Sequence, residues 1–263
     1  QSYPLARSRF HNLLRSGMFL LDYTGHAGYA GWTNENILTT ADVKSLSNKN
    51  LPVWMAATCD FLQFDVKPVS AGEYVILNPL GGGIGLLSAA RPVYASQNFY
   101  INKYFVENLF KKNGDYPRVG DAVRLAKNSI GTETNKLSYI YLGDPAVRLN
   151  YPDQYNVVTS KINDNVALGK DTLKALSTAS VSGFVADQNG NKVSDFNGTV
   201  EIVVYDKVEK ITTLNNEGDG SMTYYDRPNT LFAGKVKVIN GEFTFTFLLP
   251  KDIKYNNGSG RIN

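Results

Sequence analysis

Two stretches decide the fold of the first half of the chain: MFLLDYTGHAGYAGW, residues 18–32, and LPVWMAATCDF, residues 51–61. Each begins with an apolar run of strand length and ends in small or polar residues, which is typical of a buried strand followed by a loop. The segment between them, ILTTADVKSLSN, predicts a short helix with Thr39 or Thr40 as its N-cap. This order of strand, helix and strand favours a parallel pair with a right-handed crossover.

The alternation of strands and helices continues beyond these two stretches. Residues 81–90, GGGIGLLSAA, predict a third buried strand, and residues 137–145, LSYIYLGDP, predict a last one. Between them, residues 96–112 have a broad apolar face, and residues 119–131 predict a shorter helix that ends at Gly131. With an opening helix before the first strand, these elements predict an α/β layer structure.

The last third of the chain follows a different pattern. From residue 151 on, the helical period disappears and turn signals recur about every ten residues, which predicts an immunoglobulin-like β-sandwich. The plainest hairpin is GKVKVINGEFTFTFLLP, in which two alternating strands flank the Asn240-Gly241 turn. The final residues, GSGRIN, contain no evident closing strand, so the sandwich is predicted to be truncated.

Length and composition support two folded domains. The 263 residues are 43% hydrophobic, which is enough for two cores and excludes a disordered chain. We place the boundary near residues 150–155, between an α/β domain over residues 1–152 and the sandwich over residues 153–263. Lys and Arg number 27 against 24 Asp and Glu, with no basic block, which gives no support for a nucleic-acid partner. The longest apolar runs have strand length, which excludes a membrane-spanning helix.

The candidates for nucleophilic cysteine chemistry are few, because the chain has one cysteine and two histidines. A thiol becomes a strong nucleophile as its thiolate, which an adjacent imidazole promotes. His11 lies within the opening helix pattern, which predicts a surface or capping residue. His26 follows the first strand in a loop of small residues, and Cys59 follows the second strand at the corresponding place. Parallel neighbours lie about 5 Å apart, so imidazole and thiol are predicted to meet at one edge of the sheet.

Cys59 has a structural alternative, because a buried cysteine is the commonest fate of a lone thiol. Its placement at a strand end, mirrored by a glycine-flanked histidine, favours the reactive interpretation. Gly25 and Gly28 let the main chain beside His26 approach a substrate closely and direct N–H groups at a developing oxyanion. The N–H of Cys59 is a second candidate donor.

The glycine-rich and Asp/Asn-rich motifs do not indicate other ligands. GGGIG is not followed by Lys-Ser/Thr and precedes a strand instead of a helix, so it does not predict a nucleotide site. DQNGNKVSD has oxygen ligands at alternate positions but lacks the distal glutamate of a calcium loop, which favours a turn between strands.

The ordered pair YTGHAGYAGW and AATCDF resembles the gingipain family of cysteine peptidases, in which a caspase-like fold places histidine and then cysteine at successive strand ends. Four further stretches carry the resemblance: AGEYVILNPLGGGIGLLSAARPVY, YIYLGDPAVRLNYP, DTLKALSTASVSGFVADQNG and FNGTVEIVVYDK. The resemblance implies the C-terminal part of an α/β caspase-like catalytic domain, followed by an immunoglobulin-like sandwich.

The resemblance also implies roles for individual residues. His26 corresponds to the general base and Cys59 to the nucleophile, and the main-chain N–H groups of Ala27 or Gly28 and of Cys59 correspond to the oxyanion site. The family usually has glycine directly after the histidine. Alanine at this position can offer its N–H if the loop avoids positive φ.

The resemblance is less complete for the rest of the cleft. The segment from Ser88 through Tyr94 corresponds to a wall of the specificity pocket, with Tyr94 as its aromatic candidate. The acid that orients the histidine comes from upstream sequence in the family, and neither Asp22 nor Asp60 fits it. Since the chain also starts at Gln1 within a helical pattern, we expect a piece of a longer protein that is inactive by itself.

Within the family, the resemblance is greatest to the sortase branch of the type IX secretion system of Bacteroidetes. It implies cleavage of C-terminal sorting domains from exported proteins, with hydrolysis or transfer to an amine, at the cell surface or outer membrane. The implied partners are these cargo proteins and other secretion components, and no cofactor or metal is implied. Two alternatives stay open: a general secreted gingipain-like protease, and a non-catalytic surface or adhesion module in which His26 and Cys59 are remnants.

Overall fold

The computed structural model describes residues 3–33, 35–163, 165–166, 172–216, 218, 220–251, 253 and 258–263. The chain divides into two compact units, Gln1–Tyr151 and Pro152–Asn263. None of the helices formed by the described residues combines the length and the apolar content of a membrane span.

The first unit is an α/β structure with a four-stranded central sheet in the order β1-β5-β6-β7. Its helices are α1 (Pro4–Ser16), α2 (Thr40–Ser45), α3 (Ala71–Leu77), α4 (Ala95–Leu109), α5 (Val119–Ser129) and α6 (Asn135–Ser138). Its strands are β1 (Leu20–Thr24), β2 (Ala27–Gly28), β3 (Gly31–Trp32), β4 (Leu38–Thr39), β5 (Val53–Ala57), β6 (Gly85–Ala89) and β7 (Tyr139–Gly143). Strands β1, β5 and β6 are parallel, and β7 is antiparallel to β6.

The predicted unit of strand, helix and strand is confirmed. β1 and β5 pair in parallel, with Leu20 opposite Val53 and Thr24 opposite Ala57. Thr39 is the N-cap of α2: its side chain accepts from the N–H of Asp42, whose carboxylate accepts from the N–H of Thr39 in return. This reciprocal capping box satisfies two helix-end donors and explains why so short a helix begins at this residue.

The central sheet is covered by a core on each face. Alternate residues of β5 point to opposite sides, so Val53, Met55 and Ala57 belong to one core while Trp54 and Ala56 belong to the other. Helices α4 and α5 close the first core, and α1, α2 and α3 contribute to the second. All five residues of β5 are buried, as expected for a central parallel strand with helices on both faces.

Three short features of the first unit have no counterpart in the sequence prediction. The short helix α3 begins with a capping box between Ser70 and Glu73, and its Gly72 lies so close to Phe61 that a Cβ would approach that residue's carbonyl oxygen to 2.4 Å. Strands β2, β3 and β4 form a small separate sheet directly after β1. Helix α6 includes Leu137 and Ser138, which the sequence pattern assigns to the last strand, so that strand begins only at Tyr139. All three features are too short for apolar periodicity to indicate them.

The second unit is all-β in its described part. Its strands are β8 (Asn156–Ile162), β9 (Asn165–Val166), β10 (Thr178–Ala186), β11 (Gly198–Tyr205), β12 (Glu209–Thr212), β13 (Thr223–Asp226), β14 (Thr230–Val238), β15 (Glu242–Leu248) and β16 (Arg261–Ile262). They form sheets in the orders β15-β10-β8-β9, β14-β11-β16 and β12-β13. The first two sheets contribute to one apolar core, which contains Val181, Phe243 and Phe245 from one sheet and Ile202 and Val236 from the other.

Two predictions about this unit are wrong. The Asn240-Gly241 turn is present with φ of 52° and 77°, and Ile239 and Glu242 exchange two main-chain hydrogen bonds across it. The predicted hairpin extends no further, because β14 pairs with β11 and β15 with β10. The turn therefore connects two sheets. The final residues do form a strand, since β16 pairs with β11 through Ile262 opposite Val204. Local alternation indicates a strand but not its partner.

Candidate active site

His26 and Cys59 lie at equivalent positions beyond neighbouring strands. Thr24 and Ala57 are the last residues of β1 and β5 and are paired in register, and each of the two candidates follows two residues later. The side chain of His26 is exposed and Cys59 is half-buried. Among the described residues, no hydrogen bond joins the imidazole to the sulfur. Both groups thus lie at the carboxyl edge of the sheet, with the imidazole in contact with solvent.

The thiol of Cys59 contacts the main chain of Val93. Its sulfur lies 3.5 Å from the nitrogen and 3.6 Å from the oxygen of that residue. The N–H of Cys59 donates to no other group in the described part of the chain. The main chain also turns sharply here, because Asp60 has a φ of 52°. The nucleophile candidate therefore lies on a tight turn with a free N–H, which is a suitable place for an oxyanion donor.

Two polar groups flank Cys59 without protein partners. The hydroxyl oxygen of Thr58 and Oδ1 of Asp60 are buried and make no hydrogen bond to any residue that the structure describes. Burial raises the pKa of the Asp60 carboxyl, while the charge of Arg91 opposes the rise. Since buried polar groups are nearly always satisfied, these atoms are available to water or to a ligand at the strand end.

The main chain of His26 is held from two directions. Its carbonyl oxygen accepts from the hydroxyl of Tyr23 at 2.8 Å and from the N–H of Thr33 at 3.0 Å. The ring of Tyr23 stacks on buried Trp32 with ring centroids 4.0 Å apart. Burial and the nearby charge of Glu35 raise the pKa of Tyr23 to about 12, so its hydroxyl remains a donor. The histidine loop is thereby fixed to the core although its side chain is exposed.

The register of β2 and β3 distinguishes the two oxyanion candidates that follow His26. Ala27 lies opposite Trp32 and Gly28 opposite Gly31. Because hydrogen-bonded and non-bonded pairs alternate in an antiparallel ladder, the bond from Thr33 to His26 makes Ala27 the non-bonded position. The N–H of Ala27 therefore points away from β3, and that of Gly28 points towards Gly31. Ala27 is absent from the residues with positive φ, as its N–H role requires.

The two candidates for the substrate pocket, Ser88 and Tyr94, differ in their exposure to solvent. Ser88 is fully buried in β6 and donates to the carbonyl of Ala56, a structural bond, whereas Tyr94 is 69% exposed just before α4.

The remaining acidic and histidine candidates have other partners. Asp22 accepts from Asn102, and burial raises the pKa of its carboxyl despite that bond. His11 packs edge-on against Phe10 in α1, and burial lowers its pKa. Within the described residues, no cluster of three or more His, Cys, Asp or Glu could hold a metal ion.

Sequence reasoning missed the contributions of Val93 and Tyr23. Val93 acts through its main chain, which leaves no side-chain signal in the sequence. Tyr23 reads as one more strand residue, and its bond to His26 depends on the turn at Gly25, where a Cβ would lie 2.6 Å from the Tyr23 hydroxyl. The glycine is the local signal for that turn.

A mixed α/β sheet covered by helices on both faces fits the caspase-like fold of cysteine peptidases. The sequence profile of peptidase family C25 matches residues 1–150. The chain belongs to this family of gingipain-like cysteine peptidases.

Solved structures of this class are similar to the chain. Dimeric latent PorU from Porphyromonas gingivalis is 34% identical over 68% of this chain and 18% of that one, with a TM-score of 0.40. The Arg-specific cysteine proteinase gingipain R is 16% identical over 94% of this chain and 50% of that one, with a TM-score of 0.50. The complex of Porphyromonas gingivalis RgpB pro- and mature domains is 16% identical over 94% of this chain and 51% of that one, with a TM-score of 0.49.

The comparison with gingipain R supports the fold of the first unit. The mixed α/β sheet fits a caspase-like fold, and the match to gingipain R agrees with it. The chain spans less than a fifth of PorU and half of gingipain R. No curated protein sequence is significantly similar to it.

Proposed function

We propose that the chain carries the His26–Cys59 dyad of a cysteine endopeptidase. The observation that supports it most is the parallel register of β1 and β5, in which Thr24 opposite Ala57 leads His26 and Cys59 away from the same edge. A structural cysteine has no reason to mirror an exposed histidine. The missing hydrogen bond between imidazole and sulfur is compatible with a dyad, since catalytic hydrogen bonds are often loose before a substrate binds.

The reaction follows from these groups. The imidazole of His26 takes the S–H proton of Cys59, and the electron pair stays on sulfur, which attacks the carbonyl carbon of the scissile bond. The imidazolium then returns the proton to the leaving amine, and a thioester remains on Cys59. Water resolves the thioester to a carboxylate, or an amine resolves it to a new amide.

Two main-chain donors are available for the tetrahedral intermediate. The N–H of Cys59 is free of other described groups, and the N–H of Ala27 points away from β3. The N–H of Gly28 faces Gly31 within the hairpin and is the weaker candidate. Each such donor contributes about 3 kcal/mol to transition-state stabilisation when its geometry is right.

The substrate side of the cleft is proposed to include Tyr94. Its ring is exposed, and it directly follows Val93, whose main chain contacts the Cys59 sulfur. Because Tyr94 is adjacent to the residue that contacts the sulfur, its ring is well placed to form a wall of the specificity pocket. Ser88 keeps its structural role in this arrangement.

The finer assignment rests on the sequence stretches that resemble the sortase branch of the family. We propose that the full protein cleaves C-terminal sorting domains of proteins exported by a type IX secretion system. It would act at the cell surface with other secretion components as partners. The second unit is proposed to be an immunoglobulin-like sandwich, since two antiparallel sheets share one core.

A thiol-directed acyloxymethyl ketone probe on the full-length protein tests the dyad. We expect Cys59 to be labelled and His26→Ala to reduce labelling by about 10³-fold or more, since dyad members act as a unit. His11→Ala is the matched control, because His11 is the other histidine of the chain and lies in α1. Unreactive Cys59 in the folded full-length protein would instead favour the non-catalytic adhesion module.

A second measurement separates sortase from general protease. Purified cargo carrying its sorting domain is compared with an unfolded protein of unrelated sequence as a substrate. Preference for the sorting-domain junction supports the sortase assignment. Equal cleavage of both would leave the dyad intact and assign a general secreted peptidase.

A further inference from the structure

The surroundings of the Cys59 sulfur depend on the main chain of Val93. The sulfur lies 3.5 Å from the nitrogen and 3.6 Å from the oxygen of Val93, and these are its hydrogen bonds within the described residues. The carbonyl accepts from the S–H of the thiol, and the N–H donates to the sulfur. A displacement of Val93 would therefore change the stability of the thiolate.

Val93 lies in the short connector between β6 and α4. It follows β6 and precedes α4, and it belongs to neither. Its neighbour Tyr94 is 69% exposed, so burial of that ring does not fix the connector. Packing of the Val93 side chain on the first core and the bond from the N–H of Asn98 to the carbonyl of Tyr94 hold part of it. The N–H of Tyr94 is left to a side chain from another element.

Asn135 of α6 holds the connector by both main-chain groups of Tyr94. The N–H of Tyr94 donates to Oδ1 of Asn135 at 3.1 Å, and Nδ2 of Asn135 donates to the carbonyl of Tyr94 at 2.8 Å. A single side chain thereby pairs with the connector as a neighbouring strand would. The N–H of Asn135 itself donates to the side chain of Gln97 at 2.9 Å, which ties α6 to α4.

A buried network fixes the orientation of the Asn135 amide. Its Nδ2 also donates to Oδ1 of Asn98 at 2.9 Å, and that oxygen accepts from the hydroxyl of Tyr139 at 2.9 Å. Asn135 is 3% exposed, Asn98 5% and Tyr139 0%. Burial raises the pKa of Tyr139, and the charge of Cys59 adds to the rise, so its hydroxyl remains a donor. A satisfied buried network of this kind has one arrangement, which gives the connector a fixed position.

We propose that Asn135 is a positioning residue for Cys59, acting through the Val93–Tyr94 main chain to keep the N–H of Val93 directed at the sulfur. The inference rests on the proposed role of Cys59 as the nucleophile. When the S–H bond breaks and the proton moves to the imidazole of His26, the electron pair stays on sulfur. The N–H of Val93 then donates to a thiolate, and hydrogen bonds to charged groups are about twice as strong as neutral ones.

The test compares two buried asparagines in the full-length protein. Asn135→Ala removes the clamp on the connector. Asn48→Ala is the matched control: Asn48 is 4% exposed, its Nδ2 donates to the carbonyls of Asn50 and Gly82, and its Oδ1 accepts from the N–H of Gly82. Gly82 precedes the first residue of β6, at the opposite end of that strand from Val93. Both variants therefore lose similar hydrogen bonds to the main chain, but only Asn135→Ala loses them next to the residue that contacts the Cys59 sulfur.

The measured quantity is the second-order rate constant for alkylation of Cys59 by iodoacetamide, with the labelled peptide identified by mass spectrometry. We expect Asn135→Ala to lower this constant about tenfold, because alkylation proceeds through the thiolate. Asn48→Ala should leave it at the wild-type value even though both substitutions lower Tm. With a peptide substrate, Asn135→Ala should lower kcat and, because the same clamp holds Tyr94 of the proposed pocket wall, raise KM as well, whereas Asn48→Ala should change neither.

Tyr139→Phe provides a second, milder variant if Asn135→Ala does not fold. It removes the one hydroxyl that donates to Asn98 and should lower the alkylation constant in the same direction by a smaller factor. Wild-type alkylation in the folded variants, or an equal loss in Asn48→Ala, would overturn the positioning role. Peptidase activity that survives in Cys59→Ser would overturn the role of Cys59 as the nucleophile. The alkylation rate does not depend on turnover, so this failure can be distinguished from a failure of the Asn135 role.

Discussion

Tyr23 stacks on Trp32 with ring centroids 4.0 Å apart and planes 4° from parallel, and its hydroxyl donates to the carbonyl of His26. Trp32 is 2% exposed and also packs against Trp54 and Phe61 in the core behind the sheet. An exposed histidine is therefore joined to a rigid aromatic cluster through one hydrogen bond. This arrangement holds the main chain of the loop at His26, while the imidazole itself is exposed to solvent.

Removing that one hydroxyl should reduce catalysis more than stability. Tyr23→Phe keeps the stack and loses a bond that contributes about 1 kcal/mol, so we expect a small decrease in Tm and a several-fold decrease in kcat. Tyr29→Phe is the control, since Tyr29 lies in the same loop, is 42% exposed and donates its hydroxyl to no described residue. Steady-state kinetics with thermal denaturation compares them. Equal kinetics for the two variants would show that the bond does not position His26.

The capping box of α2 should make stability depend on acid pH. Burial acts to raise the pKa of Asp42, but hydrogen bonds from Thr39 and the charge of Arg7 outweigh it and lower the pKa below 3.8. The stabilisation is therefore complete above pH 3.8 and is lost as the pH falls through the lower folded-state value. Asp42→Asn should lower the free energy of unfolding by about 1 kcal/mol at pH 7 and by little at the acid end.

Asp65 provides the comparison for that pH dependence. Hydrogen bonds from Arg91 lower its pKa, but its side chain is 46% exposed. Asp65→Asn should therefore change stability little at any pH, because exposed ion pairs are screened by solvent. Urea denaturation at a series of pH values from about 2 to about 7 measures the free energy of unfolding of both variants. An Asp42→Asn deficit that stays constant down to the lowest pH would contradict the assignment.

Two glycines at opposite ends of the sheet should distinguish an effect on substrate binding from an effect on folding. A Cβ at Gly28 would meet no heavy atom within 4 Å, whereas at Gly83 it would lie 2.6 Å from the ring of Trp54. We expect Gly28→Ala to keep stability within about 0.5 kcal/mol and to raise KM, since the new methyl group enters the substrate's approach. Gly83→Ala should instead lower stability by about 2 kcal/mol through overpacking. Unchanged KM in Gly28→Ala would exclude the hairpin from the cleft.

The turn at Gly241 should be the more sensitive of two left-handed turns in the second unit. Gly241 has a φ of 77° and a Cβ there would lie 2.3 Å from the carbonyl oxygen of Val193, while Gly190 has a φ of 85° and open space. Gly190→Ala should lose about 1 kcal/mol from backbone strain alone. Gly241→Ala should lose clearly more, because the steric clash adds to the strain. Chemical denaturation of the two variants checks the order, and equal losses would contradict it.

Much of the first unit follows from its sequence because the relevant signals are local. The apolar runs before His26 and Cys59, the Thr39 cap and the left-handed Gly131 after α5 are each encoded by a few consecutive residues. The short helix α3 escaped prediction because its seven residues carry too little periodicity, although its Ser70–Glu73 capping box was a usable signal.

Pairing was less predictable than element type. The alternation in β14 and β15 correctly indicated two strands and a tight turn, yet each strand pairs in a different sheet. Across the turn only Ile239 and Glu242 pair among the described residues, and beyond them the strands separate so that Phe243, Phe245 and Val236 lie in one core shared by two sheets. The partner of a strand depends on residues far along the chain, which local patterns do not contain.

In the candidate site, too, some features follow from the sequence and others only from the structure. The sequence by itself determined which groups can react, because one cysteine and two histidines allow few combinations, and strand-ending loops select His26. Only the tertiary structure decided that Val93 supplies the contact to the sulfur, that the Ala27 N–H points away from its hairpin, and that Asn135 holds the connector. The type of each residue is given by the sequence itself. The direction of a main-chain N–H or carbonyl group at a long-range contact is fixed only when the sheet and its helices pack together.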